Sequence, residues 1–105
     1  MSPWAWLLCA GVAEVAWSQS IGPTEGFTRP LPTILCFLLG VAAVYPLTRA
    51  MQSIPPGTAY VVFTGIGGVG AVTLGILANG DPVDAPRLFG LTLVLAGVLA
   101  LRFTA

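Results

Sequence analysis

The stretch WAWLLCAGVAEVAWSQSI, Trp4–Ile21, runs 18 residues with a single charge, Glu14. A hydrocarbon core of roughly 30 Å needs about 20 residues of helix at 1.5 Å per residue. Three further apolar runs follow at Leu31–Arg49, Gly57–Asn79 and Arg87–Phe103. In lipid a backbone must satisfy its own hydrogen bonds, and spanning strands would be shorter and would alternate polar with apolar residues. The four runs therefore predict an all-α membrane protein, with four transmembrane helices in one domain over residues 1–105.

Charge agrees with that reading. Only 8% of residues are charged, against about 25% in soluble domains, where charge keeps the surface wet. Eight charges (Glu14, Glu25, Asp81, Asp84, Arg29, Arg49, Arg87 and Arg102) cannot coat a globule of 105 residues. With a net charge of zero and no lysine or histidine, nucleic-acid binding and histidine chemistry lack support. Cys9 and Cys36 lie inside apolar runs, far from any CxxC spacing, so neither a disulfide nor a metal site is expected. The first segment lacks a basic leader and is interrupted by Glu14, so it is read as a retained helix rather than a cleaved signal. No cofactor and no enzymatic activity are expected.

The runs are separated by breakers. Gly22-Pro23-Thr24-Glu25-Gly26 ends the first, Pro30 and Pro32 open the second, and Gln52–Pro56 turns into the third. Asn79-Gly80-Asp81-Pro82 closes the third, and Pro86 opens the fourth. No linker has room for another domain, and the expected arrangement is a hairpin of hairpins. Both termini then share a side with the turn between helices 2 and 3. That side carries Arg49 and Arg102, the other Arg29 and Arg87, which leaves almost no positive-inside bias. Two accounts stand: a tiny protein with few arginines, or one that inserts both ways up.

Glu14 is the most informative residue. It sits about 11 residues, roughly 15 Å, into its helix, with no charged neighbour at i±3 or i±4. A charge at that depth costs a few kcal/mol even on lenient insertion scales, so a function is expected to retain it. Such a carboxyl can hold a proton at one moment and a cation at the next, the minimal chemistry of a proton-coupled cation carrier. Ala10, Gly11, Glu14, Trp17 and Ser18 share one helical face by three-to-four spacing. The small residues would make room, Trp17 an aromatic wall and Ser18 a hydroxyl. Tyr60, Phe63, Thr64 and Gly67 share a face of helix 3, where Tyr60 could donate to the carboxylate and the rings offer π surfaces to a cation.

Glycines supply the remaining signals. Gly65, Gly67, Gly68 and Gly70 fall within six residues of helix 3 and predict a hinge or close packing. Gly90 and Gly97, seven apart on helix 4, lie nearly on one face and predict a smooth surface for a partner helix.

These features together resemble the small multidrug resistance family of proton-coupled exporters, end to end. The resemblance rests on Gly11-Val12-Ala13-Glu14-Val15-Ala16-Trp17, on Gly26-Phe27-Thr28-Arg29, on the run from Pro56 to Gly67, and on the Gly90 and Gly97 pair. It implies an antiparallel dimer of inversely inserted copies in the cell's inner (plasma) membrane. Two Glu14 carboxyls would face one central pocket, with protons as the coupling ion. The motifs look most like the guanidinium-exporter branch, whose substrates are guanidinium compounds and small quaternary ammoniums. A planar guanidinium suits a carboxylate bidentately. Three positions depart from the family pattern: Phe63 where it usually has tryptophan, Ala43 at a pocket position where that branch has serine, and Gly22 where a basic residue is common. These departures keep two alternatives in view, a broader quaternary-ammonium exporter and one half of a heterodimer with a paired homologue. A non-transporting subunit of a membrane assembly is the rival from another class.

Overall fold

The computed structural model describes residues 2–104. Four helices follow in order: α1 (Pro3–Ile21), α2 (Pro30–Ala50), α3 (Pro56–Asn79) and α4 (Ala85–Thr104), with a 3-10 turn, Gly22–Thr24, after α1. Each opens one or two residues earlier than the apolar runs suggest, because proline is taken into the first turn: Pro3, Pro30, Pro56 and Pro86. A first-turn N–H has no partner inside the helix, so proline loses nothing there. Ser2 caps α1 by accepting the Ala5 N–H at 3.2 Å. Asp84 accepts the Arg87 N–H at 2.9 Å at the start of α4.

The connections are short and locally satisfied. After α1, Glu25, Gly26 and Phe27 all take positive φ (49°, 74° and 65°). Buried Thr24 steadies this turn, donating to the Ile21 carbonyl at 2.7 Å and accepting the Phe27 N–H at 3.3 Å. Gly80, at φ 70°, ends α3 in the left-handed conformation and returns its N–H to the Gly75 carbonyl. Pro46 lies inside α2 without ending it. It leaves the Ala42 carbonyl without its ordinary donor one turn on.

In space the helices lie in the order α2, α1, α3, α4, since α1 packs on α2 and α3 while α4 packs on α3. The two hairpins therefore join through α1 and α3. The chain measures 41 × 35 × 19 Å, and its thinnest dimension is under two helix diameters. This is a slab with wide exposed faces. Its core is one small cluster: Leu7 and Ala10 of α1, Ala43, Leu47 and Ala50 of α2, Ile54 of the turn, and Ala59, Val62 and Phe63 of α3.

Three helices, α2, α3 and α4, are apolar and long enough to cross a membrane by composition alone, with mean hydropathies of 1.9, 2.0 and 1.6. The fourth expected span, α1, has the length but is diluted by Glu14 and the polar Ser18-Gln19-Ser20. Position explains the difference. As one of the slab's two inner helices α1 meets protein on both sides, whereas the membrane-length part of α4 buries none of its residues. Polar residues are tolerated where protein, rather than lipid, faces them.

Candidate functional site

The α1 helix sets Glu14 half-buried beside α3, and a glycine makes that approach possible. A Cβ built on Gly67 would run into Glu14 Cγ. Next to it, Gly70 similarly admits Val15, while Gly11 of α1 admits Ile66, whose Cγ2 would be 2.5 Å from an added Cβ. The α1–α3 seam is thus a mutual fit of glycine against side chain, the close approach that helices in lipid use in place of a hydrophobic driving force.

On the α2 side of this seam a cleft of about 980 Å³ opens, and Glu14, Trp17, Tyr60 and Phe63 all line it. Tyr60 and Phe63 hold their rings 6.1 Å apart at 37°. Trp17 lies against Gly40 of α2, where an added Cβ would come within 3.3 Å of its Nε1. The site has one carboxylate, an indole, two phenols and three phenyl rings in largely apolar walls. A desolvated cation could be met there by charge and by ring faces together.

Of the residues expected to line the pocket, Ala43 and Thr64 do so. Ala10, Gly11 and Ser18 do not. Ala10 is fully buried in the core cluster and Gly11 is used against Ile66. Ser18 donates to its own helix at the Val15 carbonyl, 2.6 Å away, and so turns its hydroxyl hydrogen from the carboxyl. Thr64 also spends its hydroxyl locally, on the Tyr60 and Val61 carbonyls at 3.0 and 3.1 Å. Among the described residues no hydrogen bond joins Tyr60 to Glu14; the two line one cleft.

Sequence reasoning took one residue from α2, but that helix supplies most of the wall. Phe37, Gly40, Val44 and Thr48 recur at three-to-four spacing along it, with Tyr45 beside them, and Phe27 reaches in from the first connection. The signal was present in that spacing and in the polar groups of Tyr45 and Thr48 within an apolar helix.

The α3 glycines expected to hinge lie within a continuous helix, and most meet a neighbour. Gly65 faces Val98 of α4, 2.5 Å from an added Cβ, Gly67 faces Glu14, and Gly68 alone among the expected hinge residues faces open space. Gly90 and Gly97 of α4 are open on the surface and line a groove of about 880 Å³ between α3 and α4.

A slab of membrane helices with one acid-bearing aromatic cleft defines a small multi-pass transporter. Residues 2–94 match the family model described as Small Multidrug Resistance protein, and the chain belongs to that family. Among curated proteins it is 42% identical over 101 residues to the "Guanidinium exporter" of Citrobacter freundii, covering 96% of each chain. It is 40% identical over 102 residues to the protein of the same name from Yersinia pestis, covering 97% of this chain and 98% of that one. Motifs, fold and relatives agree.

Proposed function

We propose that this protein exports guanidinium and related small organic cations in exchange for protons, with Glu14 as the group that both must occupy in turn. The observation that carries the reading is the convergence of Glu14, Trp17, Tyr60 and Phe63 on one cleft, in a chain at least 40% identical over nearly its whole length to named guanidinium exporters. A carboxylate accepts both N–H groups along one edge of a planar guanidinium, and an aromatic face takes the cation from above. Because proton and cation compete for the same oxygens, each release drives the other's entry, and differential affinity between the two states supplies the coupling. No cofactor and no bond-making step belong to this cycle.

The slab shape supports a dimer. A thin layer leaves its cleft open along one face, and a second copy laid across it would close the pocket and bring a second Glu14 to it. Gly90 and Gly97, open on α4, would seat the partner helix, and the Gly65–Gly68 stretch would take up the bend as the pocket changes sides. One observation favours a broader specificity. The Phe63 ring at the cleft wall has no hydrogen-bond donor, so it sets no demand for a planar, hydrogen-bonding ion over a quaternary ammonium.

Transport in proteoliposomes decides between these readings. Guanidinium uptake driven by a proton gradient, exceeding tetraethylammonium uptake, is the expected result; the reverse preference moves the protein to the broader class. Purified protein should release protons when guanidinium is added, and Glu14→Gln should not. A wild-type protein that releases none and binds no cation would instead be a passive assembly subunit.

A further inference from the structure

A second cation-handling cluster lies at the cleft's α2 C-terminal end. Arg49 places its guanidinium carbon 5.0 Å from the centre of the Trp6 ring and donates from Nη1 to Tyr45 Oη at 3.2 Å. Trp6 meets Tyr45 edge-on, with centroids 6.1 Å apart and planes at 85°. Each of the three side chains thus fixes the other two. Tyr45 also belongs to the cleft wall, together with Thr48 and Tyr60. Arg49 is therefore a fixed charge within one hydrogen bond of the transport cleft.

Its charge is permanent, because guanidinium does not deprotonate in proteins. The indole face and the phenol hold it, but both are neutral. A ligand cation touching Tyr45 Oη would come within two hydrogen-bond lengths of Arg49, about 6 Å, inside the Debye length of roughly 8 Å at physiological salt. Tyr45 lies five residues beyond Gly40, the residue against Trp17, or about 7.5 Å along the helix. Glu14 and Tyr45 line the same cleft, so an ion long enough to reach from the carboxyl to the Tyr45 hydroxyl meets the Arg49 charge, and one that stays at the carboxyl does not.

We propose that the Trp6–Tyr45–Arg49 triad is a charge filter, which makes the cleft select singly charged organic cations over elongated dications. The proposal rests on the reading of the cleft as a cation pathway centred on Glu14. Arg49 acts by repulsion from beside the wall; Trp6 and Tyr45 are the positioning residues that keep it there.

The test compares methylguanidinium with 1,4-diguanidinobutane, whose charge centres lie seven bonds apart, roughly 8–9 Å when extended, as competitors of guanidinium uptake in proteoliposomes. In the wild type the dication should compete up to about fivefold more weakly, the scale of one exposed like-charge contact after screening. Arg49→Gln keeps a hydrogen-bond donor for Tyr45 and should erase most of that ratio, while Arg49→Lys should retain most of it, since the charge stays. Raising salt from about 20 mM to 500 mM on unaltered protein should narrow the ratio too, because the Debye length contracts several-fold. This arm stands even if the variants do not fold. Equal competition by both ions in the wild type, or a ratio that neither Arg49→Gln nor salt changes, overturns the filter. Absence of guanidinium uptake in the wild type overturns the carrier reading and the filter with it, whereas uptake with an unmoved ratio overturns the filter alone.

Discussion

The cleft beside α2 and the groove beside α4 are nearly the same size, about 980 and 880 Å³, and α3 lines both. Their linings differ in kind. The cleft gathers a carboxylate, an indole and two phenols among apolar residues. The groove is aliphatic and glycine-rich, Gly65, Gly68, Gly90 and Gly97 among Val69, Val94 and Val98, with Arg87 as its only ionisable side chain. Volume therefore does not distinguish the two surfaces; the chemistry of their linings does. A membrane cation site needs a group that can change charge, while a helix-docking surface needs the absence of side chains so that backbones approach.

The sharpest way to break this contrast is at the acid. Glu14→Gln keeps the shape of the cleft and removes its charge, so guanidinium affinity should fall by about 100-fold or more, the scale of losing a charge-assisted contact of ~3 kcal/mol. Calorimetric titration measures it, and near-wild-type affinity would reduce the cleft to another groove. Next in size is Gly67→Val, which forces a branched side chain into the space Glu14 occupies. Overpacking of this kind costs about 1–3 kcal/mol, seen as a lower unfolding midpoint in detergent, and should weaken cation binding as the carboxyl is displaced.

The groove should respond differently. Gly97→Val meets nothing within the chain, so the unfolding free energy of a monomeric preparation should move by less than ~0.5 kcal/mol. Crosslinking between copies should drop well below wild-type yield, and wild-type crosslinking would remove this face from the dimer. The smallest effect belongs to Gly68→Ala. Gly68 faces open space one residue from Gly67, and alanine favours helix by up to ~1 kcal/mol, so stability should hold or rise slightly. If transport slowed while stability rose, bending at this glycine would be part of the cycle; unchanged turnover would leave the α3 glycines as contact surfaces.

How far the residues alone reach can be followed along α1. Its length, its lone acid and the aromatic partner at Trp17 were legible, because a charge in an apolar run stands out against any background and 1.5 Å per residue turns sequence into depth. The assignment of Ala10, Gly11 and Ser18 to the pocket was less exact. Helical spacing shows which residues share a face, but a face about 100° wide meets both a cleft and a neighbouring helix. Here Glu14 and Trp17 took the cleft, while Ala10 and Gly11 went to the core and the α3 seam.

The sequence by itself determined the solvent, the number of helices and their ends to within a residue or two, and it singled out the lone acid of α1, since each follows from composition and local backbone rules. Only the tertiary structure decided that α1 is an inner helix, that α2 supplies most of the cleft wall, and that Gly67 is a seat for Glu14. It also placed Arg49, by way of Trp6 and Tyr45, beside the cleft wall. These are contacts between helices, and in lipid, which gives one apolar face no hydrophobic reason to seek another, close packing selects which faces meet.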